Sequence, residues 1–283
     1  MSKPFVLGFV IGLALLVVAG VGASRLHQKD AEDVKHQAEL AEYQAELSDA
    51  APVQLGVLSQ KERIHSTLYT HYRERNNNRR ISELIEPARG THKIVGIDFL
   101  IGLSPLLTES QTPESFLGEL ARESDAIIRG KVTNRVSRIT EDEGFIFTEY
   151  DILVTEVLKN NVAARLNVGS TINVTRPGGK VLLDGVIVKA RDHYFAALPV
   201  NGHEILLFLQ FIKETGAYKA TRYSGSFELN GSTVTPLTAD ELPPGVIRDA
   251  NSLLQTARIV SSGLFLTDER AIETEATCTS DTR

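Results

Sequence analysis

The longest uninterrupted apolar stretch runs from Phe5 to Ala23 (FVLGFVIGLALLVVAGVGA), preceded by Met1, Ser2, Lys3 and Pro4. At about 1.5 Å of rise per residue it forms a helix roughly 28 Å long, close to the roughly 30 Å hydrocarbon core of a bilayer. The pattern predicts one uncleaved membrane helix within residues 1–24. Val21-Gly22-Ala23 before Ser24 also offers small residues where a signal peptidase acts, so a cleaved signal peptide is the alternative. Lys3 on one flank and Arg25, Lys29 and Lys35 on the other leave the charge rule undecided. A short N-terminal tail kept inside places the large C-terminal body outside the cytoplasm.

Residues 25–51 read as a helical stalk. Within Gln28 to Ser48, Ala31, Val34, Ala38, Ala41 and Ala45 recur at alternating spacings of three and four, a heptad seam. An alanine seam packs closely but buries little area. A weak homodimer through Ala31, Ala38 and Ala45 therefore competes with a lone solvated helix. Gly8 and Gly12, spaced G-x-x-x-G, would let two membrane helices approach.

Residues 52–111 are a mixed helical and linker region. Ser59 and Glu62 form a capping box that opens a helix carrying Ile64, Leu68 and Tyr72 on one side, and Arg73 to Arg80 (RERNNNRR) ends it in a polar loop. That loop reads as a solvated face rather than a phosphate or RNA patch. Ile94 to Leu107 is apolar but too short to span a bilayer and contains Asp98, so it is expected to pack on the body.

From 112 to 262 the pattern is that of a β-barrel domain with flanking helices. Thr112-Pro113 opens a helix with Phe116, Leu117, Leu120 and Ala121 inward. The period then shortens, with strands over Ala126–Val136, Phe145–Leu158, Ser170–Thr175, Val181–Val188, Glu204–Ile212, Tyr218–Arg222, Phe227–Leu229 and Thr233–Thr235. Asp184-Gly185, Thr215-Gly216 and Asn230-Gly231 suit hairpins, because glycine takes the positive φ such turns need. Ile205 to Leu209 is apolar at every position, which in a strand implies burial on both faces. After Leu242-Pro243-Pro244 a helix presents Val246, Ile247, Ala250, Leu253, Leu254 and Ala257, and residues 263–283 form a disordered acidic tail. The predicted fold class is mainly β: a small antiparallel barrel or sandwich with flanking helices, preceded by a transmembrane helix and a helical stalk.

The stretches SDAIIRGKVTNRVSRI, FTEYDILVTEVLKNN, GSTINVTRPGGKV, HEILLFLQ and YSGSFEL together resemble an uncharacterised OB-like β-barrel module of exported bacterial proteins. The matching positions include Glu156 to Lys159, the Pro177-Gly178-Gly179 turn and the strand Ile205 to Leu209. The likeness covers roughly two fifths of the chain, and no activity comes with it. It implies fold and export. Asn160 stands where the module usually has glycine, and His203 replaces the glycine before Glu204.

Composition narrows the function. A net charge of -6 opposes any general affinity for nucleic acid or anionic lipid, and fourteen Lys/Arg balance fourteen Asp/Glu between Glu119 and Glu228, leaving an OB-like barrel no basic groove by count. Phe145, Phe147 and Tyr150 read as core residues rather than base-stacking platforms. Cys278 is the single cysteine, so no internal disulfide forms. Gly178-Gly179-Lys180 lacks the Ser/Thr of a phosphate loop and reads as a turn; no nucleophile elbow is present. Glu141-Asp142-Glu143-Gly144 reads as a solvated hairpin tip, since it lacks the alternating ligands of a calcium loop.

No catalytic or cofactor-binding residue is assigned. His193 and His203 read as isolated surface histidines; the alternative is a zinc-like donor set of Asp192, His193, His203 and Glu204, if the segments around Tyr194 and Ile205 paired as neighbouring strands. The expectation is a non-catalytic binding or assembly module of the cell envelope, its partners the membrane and an envelope protein. An envelope enzyme, such as a metal-dependent hydrolase using those four residues, and an OB-type nucleic-acid binder are the alternatives.

Overall fold

The structure, a computed structural model, describes residues 34–99, 112–162, 166–200, 202–238 and 249–262. The Phe5–Ala23 run with Gly8 and Gly12, Ala31, the segment 100–107 and the acidic tail lie outside the described residues. Among the described residues no helix is long and apolar enough to cross a membrane. Strand accounts for 39% of them and helix for 28%, so the fold is mainly β.

In chain order come α1 (34–47), β1 (Ala51–Pro52), three short helices α2 (Gln60–Thr67), α3 (His71–Arg75) and α4 (Ile81–Ile85), then β2 (Ile94–Phe99) and α5 (Pro113–Glu123). Nine strands follow: β3 (Ala126–Ile139), β4 (Ile146–Asn160), β5 (Thr171–Pro177), β6 (Gly179–Leu183), β7 (Val186–Asp192), β8 (Glu204–Ile212), β9 (Ala217–Ala220), β10 (Ser226–Asn230) and β11 (Thr233–Pro236). The final helix is α6 (Ala250–Ser261). The caps read from sequence are present: Ser59 and Glu62 close a capping box on α2, and Thr112 Oγ1 accepts from the Ser115 amide at 3.2 Å on α5.

The larger sheet runs β11-β10-β8-β3-β4-β5-β9, and β9 also pairs with β8. The sheet thus curls back on itself. Only two parallel residue pairs, Val174 with Tyr218 and Thr175 with Lys219, join β5 to β9, so no full-length seam seals it as a closed barrel. The curl gives β8 two covered faces. Ile205, Leu207 and Leu209 point inward with Ile128, Ile152, Val174 and Tyr218, while Leu206 and Phe208 lie under Phe116, Leu120, Leu253 and Ala257 of α5 and α6. All five residues of that run are fully buried.

Two anchoring contacts hold the helices in place. Lys159 Nζ donates to the carbonyls of Ala121 (2.6 Å) and Ser124 (2.7 Å), satisfying acceptors left over at the C-terminal end of α5. Glu156 accepts from Arg258 of α6 at 2.8 Å. Gly130 marks a register shift in β3, and a Cβ there would stand 2.7 Å from Ile152 Cγ2 and 2.8 Å from the Leu153 carbonyl, so glycine alone fits.

The smaller sheet has the order β1-β6-β7-β2, with β1 and β2 parallel to their neighbours. This departs from an all-antiparallel reading. Parallel pairing needs a long connection: β1 is more than 120 residues ahead of β6 and β2 more than 85 ahead of β7, while α2 to α4 link the two outer strands of the sheet. Residues 51–99 accordingly pack with the 112–262 segment: Tyr69, Tyr72, Ile81 and Ile85 share a core with Phe145, Phe147, Val181 and Val188. Tyr72 is buried as expected, but the rest of the buried side of α2 and α3 is His65, Ser66 and Tyr69, with Ile64 and Leu68 only half-buried.

Two further expectations change. Helix α1 does not stand away as a stalk at its C-terminal end: the Tyr43 hydroxyl donates to the Gly185 carbonyl at 3.1 Å and Glu46 pairs with Lys180 and Lys189. The seam residues Val34, Ala38, Ala41 and Ala45 are exposed on its other faces. The Glu141–Gly144 tip is not solvated throughout; the Ile81 amide donates to the Glu143 carbonyl at 2.8 Å, the Glu141 amide to Ser66 Oγ at 2.7 Å, and Gly144 is buried against Arg73.

Candidate functional site

The chain passes from the larger sheet to the smaller at Pro177-Gly178-Gly179, between β5 and β6. Thr148 Oγ1 donates to the Gly178 carbonyl at 2.6 Å and lies 2.9 Å from Ser137 Oγ. A Cβ on Gly179, whose φ is 147°, would come within 2.3 Å of Thr148 Oγ1. The triplet is therefore a close crossing of backbone over two strands, which explains why two glycines stand there.

Beside this crossing the irregular segment after β7 carries Phe195 between two open clefts. One, of about 450 Å³, is lined by Glu46, Lys180, Lys189, Arg191, Asp192, His193 and Phe195 among others. Lys180 and Lys189 are direct cross-strand partners, a like-charge arrangement that Glu46 offsets by pairing with both. The Lys180 hydrogen bond, then that of Lys189, holds the Glu46 carboxyl below the usual carboxylate range. Arg191 and His193 are exposed at its rim.

The second cleft, of about 290 Å³, is lined by Leu68, Tyr69, His71, Tyr72, Arg75, Thr175, Pro177, Phe195, Lys219 and Ala220. Its lining contains no carboxylate. Burial, and after it the charge of Arg75, lowers the His71 pKa from its ordinary value.

Between the clefts lies Arg176, fully buried. Its Nη1 donates to Ser226 Oγ (2.6 Å), its Nη2 to the carbonyls of Ala196 (3.1 Å) and Leu237 (3.4 Å), and its guanidinium carbon sits 5.2 Å from the centre of the Phe195 ring. Nε finds no hydrogen-bond partner among the described residues. A charge buried without a carboxylate is costly, and burial pushes this guanidinium down from its ordinary value. Neutral acceptors stand in for a counter-ion, pinning the 196 and 237 segments to β5.

The four metal candidates do not converge. Asp192 ends β7 of the smaller sheet, where it accepts from the Tyr72 hydroxyl and from the Tyr194 amide at 2.8 Å; His193 follows it into the larger cleft. Glu204 begins β8 of the larger sheet, and His203 immediately precedes it. His203 Nδ1 lies 2.5 Å from Glu228, and Glu204 pairs with Arg129. The pairing needed for a zinc-like set is absent, because β7 neighbours β6 and β2 whereas β8 neighbours β3, β9 and β10. Among the described residues no group of three or more His, Cys, Asp or Glu is placed to hold a metal ion. Burial, followed by the hydrogen bond to Asp192, pushes the Tyr72 phenol far up.

Sequence reasoning missed a buried polar chain. His65, wholly buried, places Nδ1 2.6 Å from Glu149 Oε1 and Nε2 2.9 Å from Thr215 Oγ1. Acid, imidazole and hydroxyl in series are the parts of a nucleophilic triad. The amides of Thr215, Gly216 and Ala217 are nonetheless all donated within the turn, so they offer a substrate oxyanion nothing. We read it as a clasp joining α2, β4 and the β8–β9 turn. No spacing rule could have found it, since its members come from three distant elements. Phenylalanines 145 and 147 are fully buried, and Tyr150 nearly so, as core residues. In comparison with known proteins, no family model and no curated protein matches this chain.

Proposed function

We propose that the chain is a non-catalytic binding or assembly module of the cell envelope, held at the membrane by Phe5–Ala23 with its folded body outside the cytoplasm. What carries the reading is the use made of the motif positions shared with the OB-like module. Glu156, Lys159 and Pro177–Gly179 are all spent on helix attachment and the crossing between sheets, and Ile205–Leu209 on the core. Chemistry is left to the clefts. The OB-like barrel is supported by β9 pairing with both β5 and β8. A membrane location is supported by the charge-free run itself.

The partners proposed are the membrane and an envelope protein that meets the rim of the larger cleft at Arg191 and His193. A weak homodimer through Gly8, Gly12, Ala31, Ala38 and Ala45 is compatible with the outward exposure of Ala38 and Ala45. The metal-dependent hydrolase needs Asp192, His193, His203 and Glu204 together, and they sit in separate partnerships. The nucleic-acid binder needs a basic surplus that the balanced charge count denies. A photo-crosslinking residue at Arg191 in membranes of cells making the full chain should give one discrete protein adduct that the same residue at Ile259 on α6 does not give. Identical adducts from both positions, or none from either, would oppose the module.

A further inference from the structure

The geometry points to the smaller cleft as a binding site for a small organic anion, a carboxylate or phosphate ester on a flat apolar body. This names a ligand class for the binding module and rests on that reading.

Cations reach the cleft from two elements distant in sequence, Arg75 from α3 and Lys219 from β9, and the His71 imidazole stands beside them. Elsewhere on this chain cations are commonly matched: Arg129, Arg135, Arg138, Lys180, Lys189 and Arg222 each pair with a carboxylate. Arg75 and Lys219 have no ion pair among the described residues, and no carboxylate lines the space between them. The nearest acids act at a distance: Glu74 lies on the same helix, and Asp192 is engaged by Tyr72.

A second, independent feature adds to the positive field. Arg176 lies behind the Phe195 ring, wholly buried and hydrogen-bonded to neutral acceptors, with the Asp192 carboxylate acting on it only at a distance. The lowered His71 pKa agrees, since burial and then Arg75 oppose a further proton there. An anion would reverse that opposition. An arginine fork recognises carboxylate and phosphate oxygens in pairs, and a lysine adds a mobile point charge.

The walls decide what carries the anion. Leu68, Pro177 and Phe195 are apolar, and a cleft of about 290 Å³ lies at the small end of ligand sites. It suits a body of ring size better than a free inorganic ion or a chain.

Calorimetric titration of the full chain in detergent with phenyl phosphate, benzoate, inorganic phosphate and benzyl alcohol tests this. Phenyl phosphate and benzoate should bind saturably, at least about tenfold tighter than inorganic phosphate, weakening with salt, and benzyl alcohol should not bind. Arg75→Gln and Lys219→Gln should each weaken phenyl phosphate by about tenfold at an unchanged melting temperature, and Arg79→Gln, outside the cleft, should leave it intact. Lack of saturable binding by either aromatic anion would overturn the proposal, as would undiminished binding in the Arg75→Gln/Lys219→Gln double variant or an equal loss in Arg79→Gln. Such a failure alongside a discrete adduct at Arg191 removes the anion and leaves the module standing.

Discussion

Leu207 and His203 lie four residues apart on the approach to and within β8, and their surroundings set opposite expectations. Leu207 is fully buried inside the curled sheet, opposite Ile128 on one side and Ser226 on the other. His203 has 37% of its side chain exposed and pairs with Glu228. Leu207→Ala should lower stability by about 2–5 kcal/mol, through lost burial and the cavity left behind. His203→Ala should cost under about 1 kcal/mol, as a partly exposed pair in high dielectric. Denaturant melts of the full chain compare them; equal losses would show that His203 does more than lie at the surface. The double burial of 205–209 was legible, because a strand with no polar position has no face to offer water. The burial of His65 was not, since its partners Glu149 and Thr215 are brought to it only by the fold.

At the scale of elements, local chemistry was readable and long-range pairing was not. Caps at Ser59 and Thr112 and the hairpin glycines at 185, 216 and 231 act within a few residues, and each stands where the sequence puts it. The parallel partners of β6 and β7 come from segments about 90 to 130 residues earlier, which no local period encodes. The same holds for α1, whose docking face is Tyr43, Glu46 and Leu47 while its alanine seam faces outward. Its attachment depends on pH. The pKa of Glu46 is depressed by Lys180 and then Lys189, and that of Asp49 by Arg135. A carboxyl depressed in the folded state contributes fully above its unfolded pKa, about 3.9 to 4.3, and loses that contribution as pH falls through the folded value. Hydrogen exchange over 34–47 should therefore quicken, relative to β8, as pH drops below about 4. Unchanged relative protection down to pH of about 2.5 would mean that Tyr43 and Leu47 alone hold the helix.

At the scale of the whole molecule, the described residues pack together across the boundary that the sequence suggests at 112. A fragment of residues 112–262 lacks β1 and β2, so both outer strands of the smaller sheet are missing and β6 and β7 become bare edges. It also uncovers Phe145, Phe147, Val181 and Val188, which share their core with α2 to α4. That fragment should aggregate or bind hydrophobic dye, whereas residues 34–262 should be monomeric with a cooperative melt, as size-exclusion chromatography and calorimetry will read. A well-folded monomer from 112–262 alone would show the smaller sheet to be dispensable. The two clefts belong to this scale as well, since each draws residues from both the larger and the smaller sheet or from the helices between β1 and β2.

The proposed placement of the folded body outside the cytoplasm is tested most directly by the chain's single cysteine. In intact cells making the full chain, Cys278 should react with a membrane-impermeant maleimide to the same extent as after lysis, and the product should retain the Phe5–Ala23 segment by mass. Reaction only after lysis would put the body in the cytoplasm and contradict the envelope module.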